Sequence, residues 1–182
     1  MKCYDCSRKV LDYYSVSFNT EFESVSLCSD CYNKRFQKIC GVEAIKVKKT
    51  SLLVKDNSGN EHFFRIKKIL TSTGFFLEAK EFINDEPKGY AFDVHGALDC
   101  DQIELEEKLL EKIKEGLNYH SINKFSTSGD ALKEKVFGKI ECDLDYDSEG
   151  PIMIIDGKKY TWEDFGKMLN MYEGWNFKLE LY

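Results

Sequence analysis

The stretches Cys3-Tyr4-Asp5-Cys6 and Cys28-Ser29-Asp30-Cys31 form two Cys-x-x-Cys pairs with 21 residues between them. This spacing is typical of a tetrahedral zinc site, in which each thiolate lies about 2.3 Å from the metal. Four sulfur ligands close the coordination sphere and leave no position for water or substrate. We therefore predict one structural zinc ion bound by Cys3, Cys6, Cys28 and Cys31. The alternative of a redox-active pair lacks the βαβ context of thioredoxin-like sites.

The sequence around the pairs predicts a small zinc finger. Residues 11–18 and 22–27 are rich in Tyr, Phe, Val and Ser and predict a β-hairpin with a turn at residues 19–21. Residues 32–40 repeat apolar side chains at helical spacing, and Gly41 supplies a stop. A knuckle, a hairpin and a helix in this order are typical of a treble-clef finger, whereas a zinc ribbon would not need the helix. We predict a finger domain over residues 1–42.

After Gly41 the pattern changes to strands. Residues 44–49 and 51–55, 62–70, 74–83 and 90–97 predict an antiparallel meander of four or five strands. Residues 101–117 predict a helix whose stripe of Ile103, Leu110, Ile113 and Leu117, with Leu105 and Leu109 beside it, covers one face of that sheet.

The last part of the sequence predicts a hairpin, a helix and a strand. Residues 136–144 and 151–155 predict strands, and Asp156-Gly157 predicts a hairpin turn. Thr161 and Asp164 predict a helix cap, and residues 177–182 alternate as a terminal strand of the main sheet. Four aromatic side chains could form an exposed binding patch, but their spacing favours burial in the core: Trp162, Phe165, Tyr172 and Trp175. The fold class is therefore α+β, with a larger antiparallel sheet domain over residues 43–182 covered by two helices.

Two runs of this tail resemble a family of uncharacterised bacterial proteins, some of which carry Cys-x-x-Cys pairs at the front. The runs are EGPIMIIDGKKYTWEDFGKML (149–169) and YEGWNFKL (172–179). The resemblance implies a recurring domain without an assigned activity. No catalytic residue is carried over from it.

Composition and charge indicate a soluble protein of the cytoplasm. The chain of 182 residues has a formal net charge of −6 and no apolar run long enough to span a membrane. It begins without the apolar stretch of a secretion signal. Three further cysteines, Cys40, Cys100 and Cys142, are scattered and odd in number, which favours reduced thiols over disulfides.

Residues 46–68 are basic and suggest nucleic-acid binding as an alternative function. Lys46, Lys48 and Lys67 are the candidate contacts, and Phe63 and Phe64 would offer stacking surfaces. Strand alternation gives a competing interpretation, in which the lysines face water and the phenylalanines face the core. The acidic whole chain lowers the expected affinity for phosphate groups.

The sequence contains little that favours an enzyme. Asp93 and His95 lie two residues apart on a predicted strand, so they share a face and form a candidate acid/base pair. No phosphate-binding glycine loop or nucleophile elbow accompanies them. Asp143, Asp145 and Asp147 begin like a calcium loop, but Ser148 and Ile154 stand where such a loop needs glycine and glutamate. An exposed acidic loop is the better interpretation.

These patterns together favour a zinc-binding, non-catalytic adaptor protein. We expect another protein as its partner, with nucleic acid as the alternative and an enzyme of unknown type as the third hypothesis. No catalytic residue is assigned. The sequence leaves the oligomeric state open.

Overall fold

A computed structural model describes residues 1–19, 23–125, 129–132, 135–141 and 150–181. The chain forms two compact units, Met1–Asn118 and Tyr119–Tyr182. All strand pairs in the described residues are antiparallel, and three α-helices accompany them, so the predicted α+β class is confirmed. The predicted division between residues 42 and 43 falls inside the first unit.

The first unit begins with the segment that contains Cys3 and Cys6, followed by a hairpin and a helix. We call residues 1–41 the cysteine module. Strand β1 (Ser15–Asn19) pairs with β2 (Ser24–Cys28), and helix α1 (Ser29–Cys40) follows without a gap. Gly41 ends the helix with a φ of +70°, and its N–H donates to the carbonyl of Gln37 at 2.9 Å. The predicted hairpin and helix are confirmed, while part of the predicted turn lies outside the described residues.

The main sheet of the first unit is a meander in the order β3-β4-β5-β6. Its strands are β3 (Ser51–Lys55), β4 (Glu61–Leu70), β5 (Gly74–Ile83) and β6 (Glu86–Ala97). The predicted meander therefore has four strands. Its hydrophobic core contains fully buried side chains from β4 and β5, including Phe64, Leu70 and Leu77.

Helix α2 (Gln102–Asn118) packs on β5 and β6 and confirms the predicted helix. Its buried apolar residues are Leu105, Leu109, Ile113 and Leu117, whereas Ile103 is exposed. The predicted stripe was wrong in this respect, because the buried residues recur at intervals of four from Leu105. The Asp101 carboxylate caps the helix by accepting from the N–H groups of Ile103 and Glu104 at 2.8 and 3.2 Å.

The strand predicted over residues 44–49 is wrong. Residues 42–50 form no strand and are held instead by side chains of α2. The Gln102 carboxamide donates to the carbonyl of Glu43 at 2.7 Å and accepts from the N–H of Ile45 at 3.0 Å. A carboxamide that pairs at two points takes the place of a neighbouring strand, so alternation alone misassigned this segment.

The described residues of the second unit form two small sheets and one α-helix. Strands β7 (Ile122–Phe125) and β8 (Gly129–Leu132) pair with each other. Strands β9 (Gly138–Glu141), β10 (Ile152–Ile155) and β11 (Lys158–Tyr160) form a sheet in the order β11-β10-β9. All four residues of β10 are buried. The predicted hairpin turn is confirmed, since Asp156 and Gly157 have φ angles of +49° and +72°.

Helix α3 (Trp162–Leu169) begins at the predicted cap, where Thr161 Oγ1 accepts from the N–H of Asp164 at 3.0 Å. This helix contacts β8, β10 and β11, so the second helix expected on the main sheet belongs to the second unit. None of its residues is buried, and Trp162 is 58% exposed. Trp175 is 70% exposed, while Phe165 and Tyr172 are half-buried. The predicted burial of the two tryptophans is therefore wrong.

The terminal strand predicted over residues 177–182 is also wrong for residues 177–181, which adopt no strand in the structure. Alternation creates the preference for an extended chain, but a strand also needs a partner edge. Residues 142–149, which include Cys142 and the acidic run at Asp143, Asp145 and Asp147, lie outside the described residues. Among the described helices, none is both long and apolar enough to cross a membrane.

Candidate metal centre

The structure brings the four predicted ligands together. The Sγ atoms of Cys3, Cys6, Cys28 and Cys31 all lie within 4.8 Å of one another. Cys6 Sγ and Cys28 Sγ are 3.9 Å apart. Three of the four residues are buried, and Cys6 is half-buried. Four thiols that converge from two distant parts of the chain can hold one metal ion.

The first pair lies in a tight turn that backbone hydrogen bonds hold against β2. The N–H of Ser7 donates to the carbonyl of Cys3 at 2.9 Å, and Ser7 adopts a positive φ of 57°. The N–H of Tyr4 donates to the carbonyl of Ser26 at 3.0 Å. The turn thus presents Cys3 and Cys6 to the end of β2, where Cys28 is located.

The second pair lies at the beginning of α1. Cys28 is the N-cap residue, with φ −72° and ψ 155°, and Cys31 lies in the first helical turn. The N-terminus of a helix carries a partial positive charge that favours thiolates over thiols. The N-terminus of α1 therefore favours the thiolate form of Cys28 and Cys31, which is the form that binds a metal ion.

Hydrogen bonds to sulfur give the centre its electrostatic character. The N–H of Cys28 donates to Cys3 Sγ at 3.3 Å, and Arg8 Nε donates to Cys6 Sγ at 3.4 Å. The Arg8 hydrogen bond lowers the pKa of Cys6 to about 6. Burial raises the pKa of Cys3, but backbone hydrogen bonds from Cys28 and Cys6 outweigh it, and the net pKa is lowered.

The two thiols of the second pair behave in the opposite way. Burial raises the pKa of both Cys28 and Cys31 above the ordinary thiol range. Neighbouring sulfur atoms raise the pKa of Cys31 further. Four thiolates in this largely buried cluster would carry a negative charge, and a bound metal ion would compensate it.

The cysteine module is joined to the main sheet through a carboxamide. Asn33 of α1 donates from Nδ2 to the carbonyl of Lys68 and accepts at Oδ1 from the N–H of Leu70, both at 2.9 Å. These groups lie on β4 beyond Arg65, the last residue that pairs with β3. Phe36 of the same helix packs against the core of the sheet. The metal centre and the sheet therefore share one helix, a link that the sequence alone did not reveal.

The basic segment does not form one continuous patch. Lys46 and Lys48 are exposed, and Lys46 Nζ lies 3.9 Å from the Asp30 carboxylate. Lys67 is largely covered, with its Nζ 3.6 Å from Glu78 and over the ring of Tyr13. Lys68 is buried and bound to Glu106 at 3.1 Å. Of the two neighbouring phenylalanines, Phe64 lies fully in the core and Phe63 at the surface.

Asp93 and His95 do come together, with His95 Nε2 3.3 Å from Asp93 Oδ2. The His95 side chain is 71% exposed and borders a shallow pocket of about 280 Å³ whose lining includes Thr71 and Thr73. Asp93 does not line this pocket. His95 is therefore exposed and Asp93 is largely covered, and the described residues form no enclosed cavity around the pair of the kind that acid/base chemistry favours.

Sequence reasoning missed a second histidine pair. His62 Nδ1 lies 2.7 Å from Glu81 Oε1, and both side chains are largely buried. The Glu81 Oε2 atom accepts from the N–H of Tyr90 at 2.9 Å. The two residues are 19 positions apart and meet only through the pairing of β4 with β5, so no local signal in the sequence could have indicated them.

Comparison with known families divides most of the chain into two parts. Residues 46–118 match the model of a domain of unknown function, DUF7686. Residues 121–182 match another domain of unknown function, DUF7713. No curated protein and no solved structure matches the chain. These two matches confirm the expected similarity to uncharacterised domains. The first match ends with α2, and the second lies within the second unit. Residues 1–45, which contain all four clustered cysteines, lie outside both matches.

Proposed function

We propose that Cys3, Cys6, Cys28 and Cys31 bind one structural zinc ion in a finger of the treble-clef type. The observation that carries this proposal is the spacing of the sulfur atoms. Four sulfurs placed tetrahedrally at about 2.3 Å from zinc are separated by about 3.8 Å. The separation of 3.9 Å between Cys6 Sγ and Cys28 Sγ agrees with that value.

The order of elements supports the treble-clef assignment. The first cysteine pair lies in a knuckle, the hairpin β1-β2 follows, and the second pair opens α1. The Arg8 guanidinium beside Cys6 reduces the net negative charge of a zinc ion with four thiolates. Asp30 holds Arg8 in turn, with its carboxylate 3.6 Å from Arg8 Nη2.

We further propose that the protein is a non-catalytic adaptor whose partner is another protein. Four sulfur ligands leave zinc no open position for catalysis, so the ion stabilises structure. Large apolar side chains on the second unit supply a surface for a protein partner, and they include Trp162, Leu169, Met171 and Trp175, all exposed. Tryptophan is enriched among the residues that dominate protein interfaces.

Nucleic-acid binding remains the second candidate because Lys46 and Lys48 are both exposed. Lys67 contributes less, since Glu78 and Tyr13 already contact it. This candidate predicts a salt-dependent mobility shift with mixed DNA or RNA that is lost in the Lys46→Glu, Lys48→Glu double variant. No shift at low salt would eliminate it.

Metal analysis of the purified full chain tests the zinc proposal. We expect about one zinc per chain in the natural sequence and a complete loss in Cys28→Ser. Cys40→Ser is the matched control, because Cys40 is a free cysteine outside the cluster and should leave the zinc content unchanged. A folded natural chain that contains no zinc after growth with the metal would contradict the proposal.

The adaptor proposal is tested by reconstitution with a purified partner. A protein that copurifies with the natural chain should bind it directly and lose affinity on Trp162→Ala. Glu163→Gln changes a neighbouring exposed side chain of α3 and should leave binding intact. Equal binding by both variants would remove this surface from the proposal.

A further inference from the structure

Residues 177–181 alternate apolar and charged side chains, and all five residues are exposed. Phe177, Leu179 and Leu181 are 91%, 73% and 74% exposed. Among the described residues, no strand pairs with this segment. A segment with this alternation can become a strand by pairing with an edge supplied by another chain.

The charges between the apolar positions make the segment complementary to itself. Lys178 and Glu180 form an ion pair with each other. In a strand they would share the face opposite the apolar side chains. If two copies align antiparallel about Leu179, each Lys178 lies opposite the other copy's Glu180. Phe177 then lies opposite Leu181, and the two Leu179 side chains meet at the centre.

We propose that the segments 177–181 of two copies of this chain pair as antiparallel strands about a two-fold axis at Leu179. This inference rests on the proposed function, in that it names a second copy as one protein bound by the second unit. The pairing is isologous, which means that both copies use the same surface. Assembly therefore stops at the dimer, and the edge of each segment is paired. Another protein would match the order Lys-Leu-Glu only if its own strand carried the complementary charges.

The apolar face of the paired segments would contribute to the stability of the dimer. The antiparallel arrangement places three apolar side chains from each copy on one face of a two-stranded ribbon. Such a ribbon is marginal alone, so neighbouring apolar surface must add to it. Trp175 and Met171 of the second unit are exposed and close in sequence, and we expect them to be covered in the dimer.

Charge reversal in the full chain tests this proposal. Sedimentation velocity should show a concentration-dependent dimer for the natural sequence. Lys178→Glu and Glu180→Lys should each weaken self-association about tenfold or more, because each variant places like charges opposite one another twice. An equimolar mixture of the two variants should restore the dimer, since every pair in the mixed species is again opposite in charge.

A matched control is Lys88→Glu. Lys88 is exposed and forms an ion pair with Glu86 two residues away, as Lys178 does with Glu180, but it lies on β6 of the first unit. This variant should dimerise like the natural chain. All variants should keep the natural circular dichroism spectrum, because the altered side chains are exposed and leave the fold of each chain unchanged.

Three results would overturn the proposal. The natural chain is monomeric at every concentration measured, or its dimer survives Lys178→Glu and Leu179→Lys, or the amides of residues 177–181 are protected from hydrogen exchange in the monomer. The last result would show pairing within one chain. If these tests fail while binding of a purified partner still depends on Trp162, the adaptor proposal stands and only the dimer is rejected.

Discussion

The two units of the chain differ in how far they bury their apolar side chains. In the first unit, α2 and the main sheet enclose a core in which Phe64, Leu77 and Ile113 are fully buried. In the second unit, β10 is buried, but α3 buries no residue and its Trp162 faces solvent. The first unit therefore encloses the larger core. The exposed side chains of the second unit are those that we propose as a surface for a partner.

The cysteine module explains part of this difference. A segment of about forty residues is too small to be stabilised by a hydrophobic core alone, and many such segments are stabilised by a bound metal ion. Through Asn33 and Phe36 the module also covers part of the main sheet. We expect the metal to stabilise the first unit and to leave the second unit unaffected.

The largest expected effect is that of Cys28→Ser. Structural zinc contributes about 10 kcal/mol or more to small metal-dependent folds, so the hairpin and α1 should unfold in this variant. Circular dichroism should show a lower melting temperature and a loss of helix. Cys40→Ser should melt close to the natural chain, and an unchanged transition in Cys28→Ser would contradict the role assigned to the centre.

A core substitution in α2 tests how much the packing of this helix stabilises the first unit. Ile113→Ala removes a fully buried side chain and should lower the free energy of unfolding of the first unit by about 2–5 kcal/mol. Ile103→Ala on the exposed face of the same helix should change it by less than about 0.5 kcal/mol. Urea denaturation measures both values. Equal effects would show that the burial of α2 is misassigned.

The link between the cysteine module and the sheet is tested by Asn33→Ala. The substitution leaves the carbonyl of Lys68 and the N–H of Leu70 without their partner, which costs about 1–3 kcal/mol. Urea denaturation should show this loss while metal analysis shows an unchanged zinc content. Natural stability in this variant would mean that the two parts of the first unit are not coupled through Asn33.

In the second unit, the capping box of α3 predicts a smaller effect. Thr161→Ala should destabilise this unit by about 1 kcal/mol, because the N–H of Asp164 loses its acceptor. Thr161→Ser keeps the hydroxyl and serves as the control. Residue-resolved hydrogen exchange would measure the change in α3, and an equal change in α2 would break the assignment of separate units.

The same cap makes α3 dependent on pH. Hydrogen bonds from the side chain and backbone of Thr161 lower the pKa of Asp164 below the ordinary carboxyl value. A lowered folded-state pKa means that the stabilisation is present above the unfolded-state pKa and is lost as the pH falls through the folded-state value. Exchange in α3 should therefore accelerate in acid, and Asp164→Asn should remove much of that dependence.

Local spacing in the sequence predicted the elements that depend on local chemistry. The two cysteine pairs, the stop at Gly41, the turn at Asp156-Gly157 and the cap at Thr161 each follow from residues within a few positions of one another. These elements are present as predicted. Their residue types determine the backbone conformation directly.

Features that depend on distant partners could not be predicted in this way. Residues 44–49 alternate like a strand, but the Gln102 carboxamide, far along the chain, replaces the neighbouring strand. Trp162 has helical spacing with other apolar residues, yet nothing in that spacing says what covers it. Asn33 resembles any polar residue on a helix surface, and only the folded sheet reveals its role at Leu70.

Hydrogen exchange of the full chain before and after metal chelation tests the central claim most directly. The account predicts that chelation accelerates exchange throughout the cysteine module and at Leu70, whose N–H bonds to Asn33. Exchange in β10 of the second unit should stay unchanged. Equal exchange in the module with and without chelator would contradict the claim that a metal at Cys3, Cys6, Cys28 and Cys31 stabilises the first unit.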